Sequence, residues 1–255
     1  MFGLRNNGGS CWVNACLQCL FRIPEVQDRY SNQKQDPTNP VDQALSLIWT
    51  SKGESGLDTL YNSIYTRLTP AGRGIGDSHE LLVKICDKVP FLEELCRFKI
   101  ADVIKCINCN AQEMKEDSVT EYSLSSFSRK MPIASCIMNS VTPTKIDEWK
   151  CEKCEKKGCL KQQLIGTFPK VMVFHMVTTN NASIEYSSIL SLNKIQYALL
   201  GVCCYNGSHW WAYGRNMPPG SDWWTLNDSH ISQHGPKEFP LSEKMRILIY
   251  YRLDN

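Results

Sequence analysis

Cys11 sits where a polar, glycine-rich turn meets an apolar helical pattern. The segment reads Asn6-Asn7-Gly8-Gly9-Ser10-Cys11-Trp12-Val13-Asn14, then Ala15-Cys16-Leu17-Gln18-Cys19-Leu20-Phe21. A helix N-terminus carries partial positive charge and unpaired N–H groups, which favour an anionic sulfur. That is where a nucleophilic thiolate belongs, and Asn6 stands upstream where its amide can donate to an oxyanion. On this segment alone, a buried cysteine opening an ordinary helix stays equally open, since most cysteines are small buried apolar residues. A thiol nucleophile also needs a base. Among the five histidines, His79 lies in a helical pattern, His175 in an apolar strand, and His230 and His234 in a polar loop. His209 follows the Asn206-Gly207-Ser208 turn where a strand begins, and a side chain at such a boundary can face a cleft. The next strand ends in Asn227-Asp228, where an amide or a carboxylate can accept from the imidazole and fix its tautomer.

A second constellation carries different chemistry. Cys106-Ile107-Asn108-Cys109 and Cys151-Glu152-Lys153-Cys154 are two CxxC pairs, and four thiolates satisfy tetrahedral zinc. Cys106, Cys109, Cys151 and Cys154 are therefore the expected ligands of a structural zinc ion pinning the ends of two β-ribbons. Cys136 and Cys159 are near enough in sequence to replace one of them. The metal's part is in folding, and no catalytic cofactor is expected.

Composition bounds the rest. Charged residues make up 21% and the formal net charge is +2, which gives no electrostatic case for nucleic acid. Nothing approaches a membrane span. The N-terminus lacks the pattern of a secretory signal, so thirteen cysteines read as reduced thiols, ligands or a nucleophile rather than disulfides. The expected setting is the cytoplasm or nucleus.

The elements that must position these residues change character along the chain. Apolar spacing predicts helices over Ser10–Ile23, from Val41 to Gly53, over Leu57–Leu68, and from Asp77 through Cys86. In the last of these Asp77 is an N-cap and Glu80 completes a capping box. Alternation then predicts strands over Phe98–Cys106, Glu113–Leu124, Val171–Val177, Tyr197–Tyr205, His209–Arg215, Trp223–Leu226 and Arg246–Arg252. Helices first and an antiparallel sheet later predict an α+β fold. Ser31–Pro40, Pro70–Gly76 and Thr178–Ser188 are expected to be the most mobile stretches.

Taken together, these segments strongly resemble the ubiquitin-specific proteases, papain-like cysteine peptidases, over nearly the whole chain. Gly3 to Asn14 is similar to the family's cysteine box, Asp77-Ser78-His79-Glu80-Leu81 to its acidic helix motif, and Phe168 to Phe174 to the strand entering the palm. Tyr197 to Val202, His209 to Tyr213 and Trp224 to Ser229 follow its histidine box, and Ile247 to Arg252 its closing strand. The resemblance implies a single catalytic domain: a helical thumb (1–95), zinc-binding β fingers (96–165) and a β palm (166–255). It implies that Cys11 is the nucleophile, His209 the general base, Asn227 the third member of the triad with Asp228 as supporting or alternative partner, and Asn6 an oxyanion donor. Asp77 and Glu80 would meet basic residues of the ubiquitin tail. The implied activity is thiol-dependent hydrolysis after the C-terminal glycine of ubiquitin, by a monomer acting on ubiquitinated proteins. The alternatives are a protease for SUMO, the cullin-modifying homologue or the interferon-induced two-domain modifier, or a catalytically weak ubiquitin-binding module. Gly9-Ser10 and Trp12 depart from the usual cysteine box, Gly76 replaces the usual Gln, and Ser208 and Trp210 replace the usual neighbours of the histidine. These changes bear on the cleft and leave the triad intact. The chain is short for the family, as expected for a minimal core or an excised domain.

Overall fold

A computed structural model describes residues 1–65, 76–125, 130–177, 184–236, 239–241 and 244–253. The expected helix beyond residue 65 and most of the expected mobile stretches 70–76 and 178–188 lie outside these residues.

The first part is helical: α1 (Cys11–Leu20), α2 (Pro24–Ser31), α3 (Pro40–Thr50), α4 (Leu57–Ile64), α5 (Ser78–Lys88) and α6 (Pro90–Cys96). Their starts are set by local chemistry. Pro24 and Pro40 each sit in the first turn of a helix, where the missing N–H costs nothing. The Asn39 side chain accepts from the N–H groups of Val41 and Asp42, and that of Asp77 from His79 and Glu80. The expected helix over Ser10–Ile23 ends at Leu20, and Pro24 opens a new one rather than only closing the old. Every residue of α1 is buried, as expected for a helix apolar on all faces. The nitrogens of its two amides find acceptors: the Gln18 Nε2 donates to the Phe2 carbonyl at 2.6 Å, and the Asn14 Nδ2 is bonded within the site described below.

Two sheets follow. Strands β1 (Phe98–Cys106), β2 (Gln112–Val119), β3 (Tyr122–Ser125) and β4 (Met131–Pro132) lead to helix α7 (Ile133–Val141). After it come β5 (Thr144–Lys150), β6 (Lys157–Ile165), β7 (Val171–Val177), β8 (Ile184–Glu185) and β9 (Ile189–Leu192). The last are β10 (Ile195–Tyr205), β11 (Trp210–Gly214), β12 (Trp224–Asn227), β13 (His230–Gln233) and β14 (Met245–Arg252). The fingers sheet has the order β2-β1-β6-β5, all antiparallel. The palm sheet has the order β13-β12-β11-β10-β14-β7-β3, with β9 beside β10.

Two expectations change here. The strand read over Glu113–Leu124 breaks at Thr120-Glu121: β2 belongs to the fingers, while β3 crosses to the palm and pairs with β7 in parallel. The palm is therefore antiparallel except at that edge. Helix α7, which no sequence signal marked, buries Ile133, Cys136 and Ile137 in a core shared with β3 and β7.

The palm sheet is covered on both faces. One face packs on α1 and the helical part through Val171, Val173, Cys203, Trp210 and Ala212. The other closes over Met172, Phe174, Tyr197, Leu199 and Tyr250. Contact between α1 and β10 is so close that a Cβ at Gly201 would lie 2.9 Å from the Cys19 Cβ, so glycine is required there. This packing fixes the nucleophile-bearing helix against the strand that leads to the His209 turn.

Candidate active site

The Asn6–Ser10 turn holds Cys11 at the start of α1. The Asn6 Oδ1 accepts from the N–H of Gly9 at 3.0 Å and of Ser10 at 3.1 Å, and the Asn7 N–H donates to the Ser10 hydroxyl at 3.0 Å. Gly8 and Gly9 have φ of 80° and 91°, the left-handed region that glycine enters without penalty. Cys11 follows as the first helical residue, almost fully buried, with its own N–H among the unpaired donors of the first turn.

His209 is presented by a second turn. The Asn206 Oδ1 accepts from the N–H of Ser208 at 3.0 Å and of His209 at 2.9 Å. Strand β11 starts at the next residue and lies between β10 and β12. The far end of β12 brings Asn227 to His209, with the Nε2 2.7 Å from the Asn227 Oδ1. A carbonyl oxygen can only accept, so Nε2 donates, and in the neutral ring the lone pair is then on Nδ1. That is the tautomer a general base needs. Among the described residues no hydrogen bond joins the Cys11 sulfur to the His209 ring; catalytic hydrogen bonds commonly tighten only with substrate in place.

The structure separates the two candidate orienters. The nearest Asp228 carboxylate oxygen is 4.0 Å from His209 Nε2, beyond hydrogen-bond range. Its carboxylate turns instead to the cysteine box, accepting from the Asn6 Nδ2 at 2.9 Å and the Asn14 Nδ2 at 2.7 Å. The Asp228 carbonyl accepts from the Leu4 N–H at 2.9 Å, and a Cβ at Gly3 would lie 2.4 Å from the Ser229 carbonyl oxygen. Asn14 also donates to the carbonyls of Leu4 and Arg5. Asp228 thus fastens the segment bearing Asn6 and Cys11 to the palm turn bearing Asn227. One Asn6 N–H is committed to this bond, leaving its second for an oxyanion. Sequence reasoning missed Asn14; its signal was a buried amide one turn into an otherwise apolar helix.

Asp77 and Glu80 stand at the N-terminus of α5, joined to the first turn of α1 by the Ser78 hydroxyl, which donates to the Trp12 carbonyl at 2.7 Å. Asp77 caps the helix, as expected. The Glu80 carboxylate does not close a capping box; it pairs with Lys84 at 2.5 Å. His79 and His175 are brought together away from the triad, their rings stacked at 3.6 Å and 9°, with His79 Nε2 3.5 Å from Glu121. Stacked parallel rings carry their in-plane lone pairs side by side rather than toward one ion, so this trio is a poor metal site. Burial and the neighbouring His79 hold the His175 pKa below its ordinary value.

The four expected thiols converge at the tip of the fingers, and all lie within 4.8 Å of one another. Cys106 and Cys154 are 3.7 Å apart, as are Cys109 and Cys151. The two knuckles share one backbone design. Each closes a bond from the fifth residue to the first, Asn110 to Cys106 and Glu155 to Cys151. Each puts that fifth residue at φ 59°. The backbone N–H groups of Cys109 and Asn108 pull the Cys106 thiol down to about 6, the thiolate character a metal ligand needs. Cys136 is buried in α7, away from the cluster. Cys159 pairs with Cys106 across β6 and β1 but is outside the set of four, which can bind a metal ion.

A family model described as "Ubiquitin carboxyl-terminal hydrolase" matches residues 2–250. The chain is 23% identical to ubiquitin carboxyl-terminal hydrolase 25 of Arabidopsis thaliana, over 98% of this chain and 47% of that protein. It is 26% identical to ubiquitin carboxyl-terminal hydrolase 47 of Drosophila melanogaster, over 68% of this chain and 13% of that protein. The chain thus spans about half or less of these relatives. Among solved structures it resembles the SAGA DUB module of Ubp8, Sgf11, Sus1 and Sgf73 bound to monoubiquitin, with a TM-score of 0.82 and 20% identity, covering all of this chain and 69% of that one. A likeness at that identity speaks for the fold: a mixed α+β thumb, fingers and palm.

Proposed function

The chain belongs to the ubiquitin carboxyl-terminal hydrolase family, and on that premise we propose that it is a thiol-dependent deubiquitinase, with Cys11 as nucleophile, His209 as general base and Asn227 as its orienter. The observation that carries this reading is the 2.7 Å bond from His209 Nε2 to Asn227, which makes Nδ1 the basic nitrogen of the neutral ring. His209 takes the thiol proton on Nδ1, and the Cys11 sulfur attacks the carbonyl of the ubiquitin C-terminal glycine. The oxyanion formed is met by the Cys11 N–H and by the second Asn6 N–H; one such donor is worth on the order of 3 kcal/mol. The tetrahedral adduct collapses as His209 protonates the departing lysine amine. Water, deprotonated by His209, then hydrolyses the thioester. Asp77 and Glu80 supply negative charge beside α1 for basic residues of the ubiquitin tail.

The four-thiol cluster fits structural zinc. Tetrahedral Zn–S bonds of about 2.3 Å put sulfurs about 3.8 Å apart, against 3.7 Å for two of the six sulfur pairs here and no more than 4.8 Å for the rest. Bound there, the ion ties the β1–β2 and β5–β6 hairpins at their tips and takes no part in the chemistry.

Cleavage of a ubiquitin C-terminal coumarin amide tests the reading. Cys11→Ala should remove turnover while leaving ubiquitin binding and the thermal transition unchanged. Retained turnover in that variant would sink the nucleophile assignment.

A further inference from the structure

Two cavities flank the turn that presents Cys11. One undercuts Asn7–Ser10 against Leu57 and Tyr61. The other, of about 540 Å³, lies between Arg5, the loop from Lys52 to Asp58, and Ser229. They share Asn7, Leu57 and Asp58, so they form one groove leading outward from the nucleophile turn along the N-terminal end of α4.

Asp77 and Glu80 lie at the other end of that helix. Trp12 packs on Tyr61 and Tyr65, Gly76 lies against the Trp12 ring, and Lys84 of α5 sits 4.3 Å over the Tyr65 ring. Helix α4 has eight residues and spans about 12 Å, so its Tyr65 end faces α5 while its Leu57 end forms the groove. The bond under attack at Cys11 has an acyl side and an amine side; the Tyr65 end of α4 faces α5 and the Leu57 end lines the groove. The α5 end, where Asp77 and the Lys84-paired Glu80 stand, is the side assigned above to the basic ubiquitin tail. The groove carries both signs of charge, with Arg5, Lys52, Glu54 and Asp58 in its lining.

Building on the deubiquitinase reading, we propose that this groove is the acceptor subsite, taking the extended polypeptide that flanks the modified lysine, with Arg5 and Glu54 sensing its charge. Both side chains are exposed, and neither takes part in the hydrogen bonds that hold His209, Asn227 and Asp228.

The experiment compares kcat/KM for three substrates: the ubiquitin coumarin amide, which has no acceptor polypeptide, and ubiquitin joined through a lysine to a short peptide with acidic or with basic flanks. Arg5→Glu should lower kcat/KM for the acidic-flanked peptide and raise it for the basic-flanked one, each by roughly two- to five-fold, the scale of exposed charge pairs. Glu54→Lys should do the reverse, and the coumarin amide should stay within about two-fold in both variants. Equal changes on all three substrates, or no dependence on flanking charge, would overturn the proposal. Failure of the unaltered protein to cleave the coumarin amide would instead overturn the deubiquitinase reading beneath it.

Discussion

Strand β10 of the palm buries eight consecutive residues, Tyr197 to Cys204, whereas β2 of the fingers leaves Gln112 through Ser118 exposed. Both strands are paired antiparallel along their length, β10 with two register shifts against β14, so backbone hydrogen bonding does not explain the difference between them. Burial does. The palm is clamped between two cores, one of which contains α1, while the fingers sheet leaves Met114 59% and Leu164 39% exposed. A sheet with so little apolar area removed from water cannot offset its ordering entropy by burial alone. The same residue type answers both situations in opposite ways. Cys16, Cys19 and Cys203 are small apolar fillers in the palm–thumb core, with burial raising the pKa of Cys16, while Cys106 is pulled toward the thiolate. What positions the proposed catalytic residues is packing; what would hold the fingers, on the zinc reading proposed above, is a metal ion bridging four thiols.

Removing the metal should break this contrast most visibly. Structural zinc sites contribute apparent free energies of about 10 kcal/mol. Chelation is therefore expected to collapse amide-exchange protection in β1, β2, β5 and β6 while β10 and β14 stay protected. Equal loss in both sheets would mean that the palm also depends on the metal.

The next effect separates two neighbours at the palm turn. Asn227→Ala should lower kcat by about 10²-fold and distort the pH profile, because the imidazole loses its tautomer constraint. Asp228→Ala should also lower kcat, by up to about 10²-fold through the loosened Asn6 donor, with the shape of the pH profile kept. A distorted profile in Asp228→Ala and a normal one in Asn227→Ala would reverse the two roles.

The smallest effects compare single side chains in the two sheets. Gly201→Ala places a methyl group against Cys19 and should cost about 1–3 kcal/mol by overpacking. Met114→Ser, on the exposed fingers face, should stay within about 0.5 kcal/mol. Denaturant midpoints of the metal-loaded protein read both, and similar costs would contradict the difference in burial.

Legibility in the sequence follows the same divide. Strands β1 and β7 match their expected limits because alternation in the first and a mostly apolar run rich in Val in the second end at turn residues. The break between β2 and β3 was hidden because Thr120-Glu121 carries no turn signal, and the change of sheet there is a long-range choice. Helix α7 was hidden in a short stretch of mixed polar and apolar residues that owes its form to packing on β3. At the site, Cys11 and His209 were legible because each sits where a turn meets a regular element. The roles of Asn14 and Asp228 were not, since their bond joins residues 214 positions apart. The Glu80–Lys84 pair was open to a reading of helix spacing.

The central claim is a Cys11 thiolate acting on ubiquitin. Its most direct test is intact mass after reaction with ubiquitin bearing a C-terminal electrophile, beside the same probes made from SUMO, the cullin-modifying homologue and the interferon-induced two-domain modifier. A single adduct with ubiquitin, lost in Cys11→Ala, is the expected result. An adduct only with another modifier, or none from folded, zinc-loaded protein, would contradict it.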